Sequence, residues 1–438
     1  MNADRLYGQQ TRRWESMNIL FLSQFFEPEP TLLTVPFVRR LAAMGHHIEV
    51  LTGFPNVPDG RIYPGWRQRW RRIETHPVNE AGEASDGNSG DPVRMIRVPL
   101  YADHSRSVWR RILNLGSFAL SAATLGQTAL TRPDVVFVYT LPTLGLASSL
   151  LKWFRGAKIV VGAFDLWPDS LFESGMLGRR RGLFERFVAG YCRRFYRRAD
   201  RILVHSPGLI PILTERGIPA ERLETFYLWC SEPEWTIPEP VTKPDSAPLT
   251  VVFTGNMGPM QDLGTVLDAA VTLQREGDAV RLRFVGGGAE LPELKRRSET
   301  SGLKNVEFVP PVPMAEIPAI QASADAMLVT LRDLPIYRAA IPSKIQYAMY
   351  GGTPILCGVA GDATELVRHA GAGICFTPGD PTAIVAAVRE LAAIPPDARH
   401  AMGDAGRRFY MKNLHSSIAA QRLASILERV VRQPVNER

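Results

Sequence analysis

Cysteine is scarce in this chain: four occur in 438 residues, Cys192, Cys230, Cys357 and Cys375, and no two have C-x-x-C spacing. That argues against structural zinc and a disulfide framework. Metal-binding histidine patterns are missing as well, because the eight histidines make no spaced pair beyond the adjacent His46-His47, and no DxD motif occurs. No metal or other cofactor is expected. No Ser/His/Asp set is evident. The longest uncharged run, Ile112–Leu130, contains Asn, Gln, Ser and Thr, which makes it a poor lone transmembrane helix and a reasonable buried or interfacial one. No stretch near Met1 joins a basic start, an apolar run and a small-residue cleavage site, so a cytoplasmic location is expected. Residues 1–16 are polar and patternless, which makes Met17 a second candidate for the native start.

What the chain has in quantity is apolar surface, with 45% hydrophobic residues, 19 Phe, 11 Tyr and 8 Trp. This excludes disorder, and at roughly 100–200 residues per domain the length points to two domains. Positive charge is the second surplus, and it is uneven. Residues 1–240 hold 30 Lys/Arg against 24 Asp/Glu, while the remainder holds 21 against 20, so the first half carries +6 and the second +1. The basic residues cluster in Arg67-Arg69-Arg71-Arg72, in Arg106-Arg110-Arg111 and in the run from Arg179 to Arg201, with aromatic residues interleaved. Such stripes suit an anionic partner. With no nucleic-acid-binding signature in the sequence, an anionic membrane surface is the expected partner and nucleic acid is not. A core helix with solvated arginines around it accounts for the pattern about equally well.

A short apolar strand, a loop and a helix at 3.6-residue spacing recur along the chain. The clearest strands are Ile19–Leu22, Ile48–Leu51, Val135–Tyr139, Ile159–Val161 and Ile202–Val204, then Thr250–Phe253, Arg281–Phe284, Val306–Phe308, Ala326–Val329 and Pro354–Leu356. Unbroken β-branched runs alternating with helices predict parallel sheets covered on both faces. Two such series predict an α/β protein of two doubly wound domains facing across a cleft, at 17–231 and 248–415, with a final segment 416–438. The proline-punctuated stretch Ser231–Pro248 is the expected hinge, and 77–92 the expected exposed loop.

Open parallel sheets bind ligands at the carboxyl ends of their strands, so function is sought in those loops. After Thr250–Phe253 come Gly255-Asn256-Met257-Gly258 and a helix Gly264–Leu273, and Gly286 follows the next strand. Glycine turns opening a helix let backbone amides approach a phosphate, although a tight strand-to-helix turn alone would also require them. Arg338 and Lys344 flank Pro342-Ser343, the expected opening of another helix, where a diphosphate would meet two cations and free amides together. Asp362 and Glu365 lie in the first turn of a further helix, where a hydroxyl-binding role competes with simple complementing of the helix dipole. In the first half, Asp165 follows strand Ile159–Val161 and could orient a sugar hydroxyl or act as a base, whereas Asp169 reads as a helix cap. The loop Gln24–Thr34 belongs to the same rim.

Taken in order, Ile19-Leu20-Phe21-Leu22-Ser23-Gln24, Leu51-Thr52-Gly53-Phe54-Pro55-Asn56, Asp165-Leu166-Trp167-Pro168-Asp169-Ser170, Thr254-Gly255-Asn256-Met257-Gly258 and Pro342-Ser343-Lys344-Ile345-Gln346 resemble retaining glycosyltransferase family 4, and within it bacterial enzymes that build O-antigen, capsule and colanic-acid-type exopolysaccharides. The resemblance spans Met17 to about Leu427. It implies the GT-B architecture, an acceptor site mainly in the first domain, a nucleotide-sugar site mainly in the second, and a final helix near Ile418–Val431 crossing back. The implied donor is a UDP-linked hexose or N-acetylhexosamine, and the implied acceptor a polyprenyl-diphosphate-linked saccharide at the inner membrane face. Asp165, Arg338 and Lys344 are then the expected catalytic residues, with Gly255, Asn256, Gly258, Gly286, Ser343, Asp362 and Glu365 lining the donor site. Two glutamates common in the family are matched here by Ala339 and Tyr347, Gln261 stands near an expected lysine, and Leu228 near an expected asparagine. Those departures keep two rival functions open: an inactive membrane-associated partner in polysaccharide assembly and, less favoured, a UDP-sugar epimerase.

Overall fold

A computed structural model describes residues 15–77, 92–105, 107–169, 182–232, 244 and 247–433. Two compact units result. The first comprises the described residues up to Val204, Leu213–Glu224 and those from Ala420 onward, and the second His205–Ile212 and Thr225–Ala419.

The first unit is built on eight strands: β1 (Asn18–Leu22), β2 (His47–Gly53), β3 (Arg72–His76), β4 (Val93–Val98), β5 (Val135–Tyr139), β6 (Lys158–Ala163), β7 (Arg201–Val204) and β8 (Leu223–Thr225), in the order β3-β4-β2-β1-β5-β6-β7-β8. Its centre consists of the apolar runs legible in the sequence, with Ile19 opposite both Ile48 and Val135. One expectation needs correction: the sheet is not wholly parallel, since β3 runs antiparallel to β4. β3 escaped detection because it is a charged edge strand (RIETH). β4 hides its strand character behind Arg97, which is 1% exposed, donates to the Gly53 carbonyl at 3.0 Å and lies 4.8 Å from the centre of the Trp66 ring.

The uncharged run Ile112–Leu130 is not one uniform helix. Helix α2 (Val108–Ser121; α1 is Val35–Ala43) passes into a π-turn at Ala122–Gly126, where a Cβ on Gly126 would approach Leu51 Cδ2 to 2.7 Å. Helices α3 (Gly145–Arg155) and α4 (Leu183–Arg198) follow, and α2 packs beside α3. The expected loop 77–92 lies almost wholly outside the described residues, as does most of the expected hinge.

Among its described residues the second unit has six strands, β9 (Leu249–Asn256), β10 (Val280–Gly287), β11 (Val306–Val309), β12 (Ala326–Thr330), β13 (Ile355–Gly358) and β14 (Gly373–Cys375), in the order β11-β10-β9-β12-β13-β14. Every pairing is parallel. Taking β9 as its first strand, the order is 3-2-1-4-5-6, the doubly wound pattern whose ligand crevice opens where the order reverses, between the carboxyl ends of β9 and β12. The core formed by Phe253, Leu267, Leu282, Leu328, Leu356 and Val388 fixes those ends in place. The last helix spans Ser416–Arg432; beyond Ala420 it belongs to the first unit, where Arg429 pairs with Glu224 at 2.6 Å and Lys158 Nζ donates to the Gln433 carbonyl.

Candidate active site

In the second unit the crevice is bounded by two glycine turns pressed together. Gly286 (φ +139°) lies so close to the end of β9 that a Cβ there would sit 2.1 Å from the Gly255 carbonyl oxygen. Gly255 itself has φ +114° and is exposed. Glycine is therefore required at both positions by left-handed backbone, and at Gly286 by close approach as well. The Met257 amide donates to the Gly287 carbonyl at 2.7 Å, and the Gly258 amide to Gln261 Oε1 at 3.1 Å. Gln261 is thus a buried turn lock rather than a free polar group facing solvent.

Lys344 enters this turn from the opening of α9, for which the helix at Ser343–Gly351 stands once α5 to α8 are placed at Leu209–Glu215, Leu263–Arg275, Leu291–Thr300 and Ile317–Ala322. Its Cε would be 3.2 Å from a Cβ on Gly255, and its ammonium lies 4.9 Å from the centre of the Phe253 ring. Burial lowers its pKa, and among the described residues no acidic group counteracts that shift. A half-buried cation at a helix amino terminus without a carboxylate is disposed to receive an anion. Ser343 is the first residue of the same helix, after Pro342 at the cap, and is exposed. Asn256, next to Gly255 and the last residue of β9, is exposed.

Other expected residues are differently occupied. Arg338 is exposed and grips Asp333 through two bonds of 2.9 Å, a pairing that raises its pKa and lowers that of Asp333. Its backbone, not its side chain, borders the start of α10 (Asp362–Ala370): a Cβ on Gly361 would lie 2.1 Å from the Arg338 carbonyl. Asp362 accepts the Gly208 amide at 2.7 Å, while Glu365 is exposed and lies 3.7 Å from Arg368. Ser206 Oγ donates to the Ala339 carbonyl at 2.5 Å. Next to it, His205 is pushed down to about 4 by desolvation, partly offset by the charge of Asp362, and its Nδ1 is buried without a partner among the described residues. His205 makes no metal-spaced pair in the sequence, and its one local signal is that it directly follows the apolar strand β7.

The first unit gathers a second cluster at the ends of β5 and β6. Asp165 keeps an exposed surface while the surrounding protein raises its pKa by desolvation. Tyr139, the last residue of β5, is raised by burial and then by the charge of Asp165, and its hydroxyl bonds with Thr31. Thr140 follows with φ +63°, an unfavourable conformation for a β-branched residue and of a kind that gathers at functional sites. Asp169 serves as ion-pair partner to Arg216, at 2.6 and 3.0 Å. Thr31 was legible as part of the loop Gln24–Thr34; its bond to Tyr139 was not. Among the described residues no group of three or more His, Cys, Asp and Glu side chains is arranged to hold a metal ion.

Two family models cover most of the sequence: the glycosyl transferase 4-like domain matches residues 34–229 and the glycosyl transferases group 1 model residues 236–409. The chain belongs to glycosyltransferase family 4. This glycosyltransferase is 27% identical over 403 residues to a protein of Escherichia coli (strain K12) named as the colanic acid biosynthesis glycosyl transferase WcaI, a match covering 86% of the present chain and 93% of the relative. A shorter match, 30% over 181 residues, or 41% of this chain and 47% of the relative, is to a GDP-mannose-dependent phosphatidylinositol monomannoside mannosyltransferase of Mycobacterium tuberculosis. Among solved structures, sucrose-phosphate synthase from Thermosynechococcus elongatus superposes with a TM-score of 0.65 at 16% identity, covering 94% of this chain and 99% of that one. Anabaena HepE in complex with UDP gives 0.61 at 16% identity, covering 94% and 100%. The fold of this glycosyltransferase is GT-B. It departs from the family's two glutamates at Ala339, which is buried, and at Tyr347, whose hydroxyl bonds with Ser231.

Proposed function

We propose that this glycosyltransferase moves a hexosyl or N-acetylhexosaminyl residue, with retention, from a UDP-sugar to a polyprenyl-diphosphate-linked saccharide during assembly of a surface polysaccharide. The observation that carries the reading is Lys344, a half-buried ammonium with no acidic partner among the described residues, held against Gly255 where the strand order reverses. Departure of a nucleoside diphosphate concentrates negative charge on phosphate oxygens, and a fixed cation in a desolvated turn stabilises that charge more than the ground state. The exposed Ser343 hydroxyl adds a donor at the opening of the same helix, whereas the Met257 and Gly258 amides are already engaged within the turn. Arg338 would join them only by releasing Asp333, so Lys344 carries the larger share in this scheme. Asp165, with Tyr139 and Thr31 beside it, would orient the acceptor hydroxyl. The UDP bound to HepE and the colanic acid role in the name of the Escherichia coli relative support the donor class and the pathway class.

A lipid-linked acceptor requires a surface that meets lipid. Among the described residues no helix is long and apolar enough to cross a membrane. Helices α2, α3 and α4 nevertheless expose Trp109, Leu113, Trp153, Phe154 (81% exposed) and Phe187, with Arg110, Arg186, Arg194 and Arg197 also exposed on α2 and α4. Large apolar side chains among arginines match an anionic bilayer interface, where the rings enter and the guanidinium groups meet headgroups. This supports a peripheral position on the inner membrane face.

The deciding experiment measures thermal stabilisation by UDP- and GDP-sugars, then nucleoside diphosphate release with and without membrane lipid extract. A UDP-sugar should stabilise the protein, with release depending on acceptor. Binding without turnover points to an inactive assembly partner, isomerised donor to an epimerase, and no binding of any activated sugar overturns the proposal.

A further inference from the structure

We infer that Cys357 and Cys375 form a reversible thiol–disulfide site for two-electron oxidation by a peroxide. The two are far from any recognised cysteine spacing in sequence, yet β13 and β14 pair so that Cys357 stands opposite Cys375. Residues opposite one another in adjacent strands share a face of the sheet at roughly 4.8 Å, inside the roughly 4.4–6.8 Å Cα separation that a disulfide spans. The register is held by the Phe376 amide, which donates to the Cys357 carbonyl at 2.9 Å. The Cys357 and Cys375 thiols are in hydrogen-bond contact with each other, and the Cys375 thiol also donates to the Thr364 carbonyl at 3.8 Å.

The two sulfurs are inequivalent, and the difference assigns their roles. Cys375 is half-buried, and the Cys357 hydrogen bond, with help from Arg368 and Thr364, holds it below the ordinary thiol range. Cys357 is fully buried and raised, chiefly by that same bond and then by desolvation. By contrast, burial pushes both Cys192 and Cys230 up to about 12. Cys375 is therefore the attacking thiolate and Cys357 the resolving thiol. The Cys375 sulfur attacks a peroxide oxygen, the O–O bond breaks, and the departing oxygen takes the electron pair and a proton to leave as water or an alcohol. The Cys357 sulfur then attacks the sulfenic acid, the S–O bond breaks, and the Cys357 proton leaves with that oxygen as water. Two thiols lose two electrons in total, the peroxide gains them, and an added dithiol reverses the reaction. The ring closed by the bond encloses Asp362 and Glu365 on α10, so oxidation would tie together both ends of the segment that carries them. The inference rests on this sheet geometry and is independent of the donor and acceptor proposed above.

The test uses the full chain treated with hydrogen peroxide under native conditions, alkylated and digested with trypsin. The expected product links the peptides 345–368 and 369–389, two hydrogens lighter than their sum, and disappears on treatment with dithiothreitol. Before oxidation, Cys375 should alkylate at least about tenfold faster at neutral pH than Cys192 or Cys230, with a midpoint below that of an ordinary thiol. In Cys357→Ser the sulfenic acid should persist and be captured by dimedone; should that variant not fold, the wild-type peptide map and alkylation profile decide. Uncrosslinked peptides after oxidation, direct passage of wild-type Cys375 to sulfinic acid, or alkylation no faster than at Cys192 would each overturn the inference.

Discussion

Replacing Lys344 by methionine separates the chemistry of the site from its packing. Methionine retains most of the stem, which passes 3.2 Å from the position of a Gly255 Cβ and reaches the Phe253 ring, while removing the charge. Two effects on stability then oppose each other. The cation–π contact is lost, at about 0.5–1 kcal/mol. The cost of holding a charge out of water, visible as the lowered Lys344 pKa, is relieved. The unliganded protein should therefore unfold within about 1 kcal/mol of wild type. Catalysis has no such compensation. Loss of one preorganised group that stabilises developing charge costs about 2.7–4 kcal/mol, or about 100–1000-fold in kcat. Lys344→Arg should recover only part of the rate, because a planar guanidinium cannot occupy the space of a compact ammonium against Gly255. Donor turnover followed by nucleoside diphosphate release, together with thermal unfolding of the same samples, supplies both quantities. A folded Lys344→Met enzyme within threefold of wild-type kcat would refute the leaving-group role.

Three further outcomes follow from the same geometry. Asp165 has its pKa raised by desolvation, so if its carboxylate positions the acceptor, the acid limb of kcat/KM should lie above the ordinary aspartate range; Asp165→Asn should abolish that limb and slow transfer about 100-fold or more. His205 stays neutral in the fold down to about pH 4, whereas the unfolded chain takes up its proton near 6.5. The unfolded state therefore binds more protons between those values, and stability should fall as pH drops from 6.5 to 4, by as much as about 3 kcal/mol from this group. His205→Gln should flatten that slope in denaturant titrations. Gly286→Ala places a Cβ 2.1 Å from the Gly255 oxygen and should cost about 3 kcal/mol or more, whereas Gly277→Ala, with φ +80° but open space around it, should cost about 1 kcal/mol in thermal unfolding; equal effects would show that the β9–β10 turn tolerates displacement.

Apolar periodicity by itself determined most of the strands and hence the two doubly wound sheets, because runs such as Ile19–Leu22 and Thr250–Phe253 can bury themselves only between layers of helices. It could not announce β3 or β4, whose charged residues are accommodated by an edge position and by the buried bonds of Arg97. The glycine turns and Lys344 were legible as separate signals. That Lys344 lies against Gly255, that Arg338 is bound to Asp333, and that Asp362 receives the Gly208 amide depended on where distant segments pack. The cysteines show the division most plainly: a spacing of 18 residues says nothing of contact, and only the pairing of β13 with β14 sets their sulfurs side by side. Local sequence fixes periodicity and turn chemistry because both act between near neighbours along the chain, whereas charge partners and desolvation are set by residues that only the folded sheet brings together.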